Sequence, residues 1–244
     1  MPTQLTRLIG ISAILLREQL KEPTALLWSI ISPCALYIMM QTSRHAAGLP
    51  GENYIATSSW FFAYMSATTA LFGMSFYLIG RRESGFVRSF IYSRPTIALF
   101  LTAHIVTHFT VSLLYATVFY LLTKSVFGSP EFTEYLNILL AYLTSYTLFA
   151  SFGLVVSLLP MKFSSASTLF SVISFVMLTS GYIGASYASS AIRSLVSYNP
   201  LAISSNFFTN TQSLETFIIV AVVFTASMAV TACFFRIQPV WSRY

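Results

Sequence analysis

Six long segments of the chain are apolar or carry only Ser, Thr, Gly and aromatic side chains, and no Asp, Glu, Lys or Arg lies well inside any of them. The segments cover residues 24–42, 57–80, 96–123, 135–160, 164–187 and 214–235. About 20 helical residues cross a hydrocarbon core about 30 Å thick, so each segment is long enough to span a membrane. The pattern predicts an all-α polytopic membrane protein with a single transmembrane domain over residues 1–244.

Residues 3–22 show a different pattern, which predicts an amphipathic helix lying on the membrane surface. Its predicted apolar face is Leu5, Leu8, Ile9, Leu16 and Leu20, and its polar face is Gln4, Arg7, Arg17, Glu18 and Lys21. A cleaved signal peptide is the alternative, but charged residues follow the apolar run and no small-residue cleavage site is present. Pro23 is expected to break this helix before the first span.

Composition and charge support a membrane protein and predict its orientation. The chain is 56% hydrophobic and 8% charged, whereas about 25% of residues are charged in soluble domains. With six spans, one side carries Arg7, Arg17, Lys21, Arg81, Arg82, Arg88, Arg94, Lys162, Arg236 and Arg243, and the other carries Arg44, Lys124 and Arg193. Loops rich in Lys and Arg remain on the cytoplasmic side of a membrane. Both termini are therefore expected in the cytoplasm, and the chain is expected in the inner or plasma membrane. The net charge of +6 then reflects orientation and not nucleic-acid binding.

The sequence offers no catalytic site of a familiar kind. A P-loop needs Gly-Lys followed by Ser or Thr, and none of Lys21, Lys124 and Lys162 follows a Gly. Gly-x-Ser-x-Gly and His-Glu-x-x-His motifs are also lacking. Cys34 and Cys233 lie in separate apolar segments, which predicts two free thiols. The expectation is a protein that is not an enzyme and holds no metal.

His104 and His108 are the one suggestive pair within a span, because residues four apart share a helix face. They are either polar packing residues or a functional pair in an intramembrane enzyme. No acid lies well inside a span, whereas transporters driven by protons or sodium usually keep an ionisable group there. A transporter of this composition must take its energy from a partner chain.

The order of these features resembles the membrane subunit of ABC transporters of the type-2 exporter class. The resemblance rests on the amphipathic first helix, six spans, and an Arg-Glu-x-Gly signature at Arg82-Glu83-Ser84-Gly85 in the first cytoplasmic loop, 81–95. Pro33 in the first span and the pair Asn199-Pro200 between spans five and six add to it. It covers nearly the whole chain.

The resemblance implies a permease that moves its substrate out of the cytoplasm. Two copies, a homodimer, would pair in the lipid bilayer above two ATP-binding cassette ATPase subunits, which bind ATP and Mg, while this chain needs no cofactor. Loop 81–95 would form a coupling helix against the ATPase through Arg81, Arg82, Glu83, Gly85, Phe86 and Arg88, and the connecting helix would add Arg7, Arg17 and Glu18. The alternative is that the charges of this loop only set the orientation of the chain in the membrane.

The same resemblance places the substrate path between spans two and five and a capped mouth on the outer side. The implied path residues are Phe61, Tyr64, Thr68 and Phe72 with Phe170, Ser174 and Met177, and the implied outer gate is Asn199 and Pro200. The aromatic stripe on span two suits an amphipathic or apolar substrate: a drug, a small peptide, a lipid or a lipid-linked glycan. The alternative is that these side chains face lipid or neighbouring helices. For the whole protein, the alternatives are an ATPase-independent secondary transporter or an immunity membrane protein, and an intramembrane enzyme.

Overall fold

The computed structural model of the chain describes residues 4–22, 27–48, 53–89, 93–186, 198–210 and 213–240. These residues form helices joined by short turns, and no strand occurs among them. The expected all-α class is therefore confirmed for the described part of the chain. The two cysteines, Cys34 and Cys233, are free thiols as the sequence predicts.

The helices follow the predicted segments, with ends shifted by a few residues. They are α1 (Gln4–Leu20), α2 (Ser32–Ala46), α3 (Tyr54–Glu83), α4 (Arg94–Phe127), α5 (Phe132–Ser157), α6 (Phe163–Ser186), α7 (Pro200–Thr209) and α8 (Leu214–Phe234). Capping chemistry fixes several starts: Asn53 Oδ1 accepts the Ile55 N–H at 3.1 Å and Ser213 Oγ accepts the Thr216 N–H at 3.2 Å.

Five of these helices, α3, α4, α5, α6 and α8, are long and apolar enough to cross a membrane. The chain thus has the helices expected of a multi-pass membrane protein. The first predicted span, 24–42, is not among the five. Its described part is a π-helical turn, Leu27–Ile31, that runs into α2, and residues 23–26 lie outside the described ranges. A membrane span at 24–42 and the orientation of the termini stay predictions.

The centre of the bundle is formed by α3, α4 and α5. In their most apolar windows 67%, 56% and 61% of residues are buried, against 22% in α6 and 11% in α8. The latter two helices therefore lie at the periphery, and their apolar side chains are available to lipid or to another chain. Helices that are apolar on all sides carry no periodicity that would have revealed this difference.

A π-helical stretch, Thr69–Phe76, interrupts α3 where it packs against α5. Ser75 Oγ donates to the Ala70 carbonyl at 3.0 Å, and Gly153 of α5 lies directly against it. A Cβ at Gly153 would fall 3.0 Å from the Ser75 Cβ and within overlap of its hydroxyl, so only glycine allows this approach. His104 Nε2 donates to the Met74 carbonyl at 2.9 Å. Because a carbonyl only accepts, this pairing places the proton on Nε2 and gives His104 a structural role.

Helix α1 packs along α4, with Ser12 Oγ donating to the Ala103 carbonyl at 3.3 Å and Thr107 Oγ1 donating to the Ser12 carbonyl at 3.2 Å. Leu15 and Gln19 are its buried side chains. The contact face is thus rotated from the predicted apolar face, whose members Leu5, Ile9 and Leu20 are exposed. The helix therefore has one face that packs on the protein and another face that is apolar and exposed.

The predicted outer-gate residues start the short helix α7. Asn199 Oδ1 accepts the Leu201 N–H at 3.0 Å and caps the helix, while Asn199 Nδ2 donates to the Met177 carbonyl at 2.8 Å and to Ser180 Oγ at 3.0 Å. Pro200 occupies the first turn, where its missing N–H is not needed. At ten residues α7 is too short to cross a membrane. Residues 187–197, which precede the predicted outer gate, lie outside the described ranges.

Candidate functional site

A cavity of about 1010 Å³ lies between α1, the π-turn before α2, and helices α3, α4 and α6. Helix α3 supplies the largest share of the lining residues, at helical spacing: Trp60, Phe61, Tyr64, Thr68, Thr69, Phe72, Gly73, Phe76 and Tyr77. Pro33 and Leu36 face it from α2, and His108, Val111 and Tyr115 from α4. Its volume is at the upper end of the range of small-molecule sites.

The predicted path residues divide between this cavity and the protein core. Phe61, Tyr64, Thr68 and Phe72 of α3 line the cavity. Phe170, Ser174 and Met177 of α6 do not, because their side chains are buried against neighbouring helices. Phe170, for example, packs on Phe72 with 5.9 Å between ring centroids. Ser171 and Leu178 are the residues by which α6 reaches the cavity.

Arg82, at the predicted cytoplasmic end of α3, is directed into the protein with 1% of its surface exposed. Its Nη1 donates to the Ser157 carbonyl at 2.8 Å, and its Nη2 donates to the Leu159 and Met161 carbonyls at 3.2 and 3.0 Å. These acceptors are the end of α5 and the turn after it, where helix carbonyls lack intrahelical partners and carry the negative end of the macrodipole. A guanidinium therefore holds the start of the α5–α6 connection against the end of α3.

Glu83 pairs with Arg82 through a 2.9 Å contact between Nε and Oε1, and its side chain is 7% exposed. The same carboxylate accepts the Val240 N–H, with the shorter contact, to Oε2, at 3.1 Å. Glu83 thereby fastens the segment after α8 to the end of α3. The side chains of Arg82 and Glu83 are thus engaged internally in this conformation, and the predicted surface for an ATPase is left to the rest of the loop.

Arg81 links the same point to the first helix. Its guanidinium forms an ion pair with Glu18 of α1, donates to the Tyr77 hydroxyl and lies 4.3 Å from the centroid of the Phe86 ring. Since Tyr77 also lines the cavity, the chain of contacts runs from the cavity wall through Arg81 to α1. We call Arg81, Arg82 and Glu83 with these partners the junction.

The remainder of the predicted coupling loop is a turn followed by a short 3₁₀ helix, Val87–Ser89. Gly85 has φ +74°, a left-handed conformation that ends α3 and that side chains disfavour. Val87 is fully buried and anchors the turn, whereas Phe86 is 42% exposed and Arg88 is exposed. Residues 90–92 lie outside the described ranges, and α4 begins at Arg94. The loop therefore presents Phe86 and Arg88 outward on a base fixed by the junction.

Arg7 and Arg17, the other residues predicted for the connecting helix, are exposed on α1. Arg7 lies at a second cavity of about 510 Å³ between α1 and the start of α4, lined also by Leu8, Pro95 and Leu99. Of the predicted connecting-helix residues, Glu18 is the one that the structure brings to the junction. The other two remain on the surface near the same end of the protein.

Exchanging the charges of Glu18 and Arg81 is expected to distinguish what their ion pair contributes to the free energy of unfolding from what each charge contributes alone. Glu18→Arg alone should lower the free energy of unfolding by about 1 kcal/mol, because it sets two cations side by side near the surface. The double variant Glu18→Arg with Arg81→Glu should recover about half of that loss, since the ion pair returns without the contacts to Tyr77 and Phe86. Equilibrium unfolding in mixed micelles measures both.

Arg17→Glu is the matched control for this pair, because Arg17 is exposed one residue away on the same helix. It should change the free energy of unfolding by less than about 0.5 kcal/mol. A double variant that loses as much as the two single variants together would show that Glu18 and Arg81 do not act as a pair.

Sequence reasoning missed Tyr77, Tyr115 and Gln19 among the residues that build these sites. Tyr77 precedes Arg81 by four residues, and Tyr115 follows His108 by seven, so helical spacing alone puts each pair on one face. Gln19 gave a weaker signal, a polar residue in the face of α1 that packs on α4. The backbone carbonyls bound by Arg82 and the Val240 N–H bound by Glu83 gave none, since every residue carries such groups.

The chain is similar to a known protein along nearly its whole length. No model of a known protein family matches the chain. The chain is similar to Protein McbE of Escherichia coli, with 29% identity over 244 residues. The match covers 96% of this chain and 98% of that protein. Two chains that align over nearly their full lengths are expected to share their order of helices.

Proposed function

We propose that this chain is the membrane subunit of an ATP-driven exporter, a permease that moves an amphipathic or apolar substrate out of the cytoplasm and works with a separate ATPase of the ATP-binding cassette type. The observation that carries the proposal is the continuous path of contacts from the aromatic cavity, through Tyr77 and Arg81, to α1 and the loop with Phe86 and Arg88. A cavity that changes access needs such a mechanical link to its source of energy.

The junction supports the transmission of force through the loop. Arg81, Arg82 and Glu83 join the end of α3 to α1, to the α5–α6 connection and to the segment after α8. A force on the exposed part of the loop is therefore transmitted to four parts of the bundle, namely α3, α1, the α5–α6 connection and the segment after α8. A loop that only marked orientation would need its charges in water and would have no reason to bury an arginine and a glutamate.

The partners follow from the same proposal. Two copies of the chain form a homodimer in the inner or plasma membrane, through a face that includes the peripheral helices, and two ATPase subunits bind ATP and Mg beneath them. The peripheral position of α6 and α8, with exposed Val172, Phe175 and Val222, supports a contact with a second copy or with lipid. The near full-length similarity to Protein McbE supports one architecture for the two chains.

Capture of the ATPase tests the proposal. The tagged chain, purified in mild detergent from the cells that produce it, is expected to bring with it an ATPase with a P-loop, identified by mass spectrometry and by ATP hydrolysis. Arg88→Glu should lower this capture at least about tenfold, because it reverses an exposed charge on the loop without disturbing a buried partner. Glu215→Lys, a reversal at the exposed start of α8, should leave it unchanged.

Two results would count against this function. The first is the absence of any ATPase above the amount captured by an unrelated tagged membrane protein. The second is export of the substrate under an imposed pH gradient without ATP, which would instead support a secondary transporter.

A further inference from the structure

Four buried polar side chains that line the large cavity each carry an atom without a hydrogen-bond partner in the described part of the chain. They are Gln19 of α1, Thr69 of α3, and His108 and Tyr115 of α4, each 6% exposed or less. Their unpartnered atoms are Gln19 Oε1, Thr69 Oγ1, His108 Nδ1 and Tyr115 OH. We call these four side chains the polar recess. Buried polar atoms are almost always paired in folded proteins, so four of them around one cavity indicate that something else completes the site.

The recess offers both donors and acceptors. The Gln19 carbonyl oxygen accepts, the hydroxyls of Thr69 and Tyr115 donate or accept, and His108 Nδ1 does either according to its tautomer. Gln19 lies close to Tyr115, yet no hydrogen bond of normal geometry joins them, and the same holds for Thr69 and Tyr142. This set fits an uncharged group that has a donor and an acceptor of its own, such as an amide or a hydroxyl.

The remaining wall of the cavity indicates the chemistry of the other part of the ligand. Trp60, Phe61, Tyr64 and Phe72 present aromatic surface on α3, which favours an aromatic or apolar body by stacking. This surface lies on the same cavity as the recess, so one molecule can reach both. The ligand is therefore expected to be amphipathic, with a single polar end.

Charge narrows the class of ligand further. Among the described lining residues, Glu22 is the one that is charged. Arg81, bonded to the lining residue Tyr77, is already paired with Glu18. An anionic head group would lose its hydration in this cavity without gaining a cation, which is unfavourable. Phosphate-bearing lipids and lipid-linked glycans are thereby disfavoured.

We propose that the cavity binds an uncharged amphipathic molecule whose amide or hydroxyl group occupies the polar recess and whose aromatic or apolar body lies on α3. That this molecule is a substrate rests on the proposed function, whereas its binding does not require the ATPase. The two helices implied as the substrate path, α3 and α6, do not form the recess by themselves, because Gln19 comes from α1 and His108 and Tyr115 come from α4.

The test uses two probes that share one body, N-dansyl-phenylalanine amide and the free acid N-dansyl-phenylalanine. Dansyl fluorescence is titrated with the whole chain in lipid nanodiscs, with empty nanodiscs subtracted. The amide should bind at least about tenfold more tightly than the acid, because only the acid brings an unpaired charge. Tyr115→Phe combined with Thr69→Val should weaken binding of the amide about five- to tenfold, through the loss of two hydroxyl groups.

The matched control is Tyr146→Phe, which removes the hydroxyl of a fully buried tyrosine that lies away from the cavity, 3.7 Å from Met74 Sδ. It should leave the amide affinity unchanged. Equal affinity for the two probes, no saturable binding of either, or an amide affinity that the double variant does not alter would each overturn the recess. Recess-dependent binding without ATP-driven export would overturn the proposed function alone, and export with recess-independent binding would overturn the recess alone.

Discussion

Arg82→Ala is expected to lower the free energy of unfolding by about 3–5 kcal/mol, the largest effect of any single change at the junction. The substitution removes the guanidinium from three carbonyls, those of Ser157, Leu159 and Met161. It also removes the guanidinium that pairs with the Glu83 carboxylate, whose side chain is 7% exposed. Equilibrium unfolding in mixed micelles, with the monodisperse fraction from size exclusion, measures the loss.

Two further variants identify the cause of that loss. Arg82→Ala combined with Glu83→Ala should be no less stable than Arg82→Ala alone, because the second change removes the buried negative charge that Arg82 no longer balances. Arg88→Ala, on an exposed arginine of the same loop, should change the free energy of unfolding by less than about 0.5 kcal/mol. If Arg82→Ala behaved like Arg88→Ala, the internal role of Arg82 would be wrong.

Thr68→Trp is expected to abolish export while leaving the ATPase bound. Thr68 lines the cavity at the middle of α3, and its hydroxyl bonds only to carbonyls of its own helix, those of Tyr64 and Met65. An indole at this position therefore occupies the cavity without removing a contact between helices. ATP-dependent uptake of N-dansyl-phenylalanine amide into inside-out vesicles should fall at least about tenfold, since even a partial loss of binding of 1.4 kcal/mol has that effect.

The control for this block is Thr225→Trp, an exposed position on α8 that does not line the cavity. It should leave uptake at the level of the parent chain. ATPase capture by Thr68→Trp should also match the parent, because the loop with Phe86 and Arg88 is unchanged. Normal uptake by a well-folded Thr68→Trp variant would show that the substrate takes another route.

The helices of this protein are readable from its sequence, and the face that each presents is readable only in part. On α3 the predicted path residues Phe61, Tyr64, Thr68 and Phe72 line one cavity. On α6 the resemblance implied Phe170, Ser174 and Met177, and the structure turns these toward the core. Lipid-facing and protein-facing sides of such helices are both apolar, so periodicity does not distinguish them.

The charged loop shows the same division. Its composition marked it as a place where the chain leaves the membrane, and Gly85 marked the end of a helix, because such properties depend on neighbours in sequence. The separate tasks of its charges depend on residues far away: Arg82 bonds to a carbonyl 75 positions along the chain, and Glu83 to an N–H 157 positions along. Nothing in the residues near Arg82 distinguishes it from the exposed Arg88.

The sequence by itself determined that the chain folds into long apolar helices joined by short polar turns, because the backbone in lipid must satisfy its hydrogen bonds within each helix. Only the tertiary structure decided which charges are buried, which helices are central, and that Gln19, His108 and Tyr115 line the same cavity. Those outcomes depend on the rotation and packing of whole helices, which are set by close contacts such as Gly153 against Ser75 and not by the composition of any one segment.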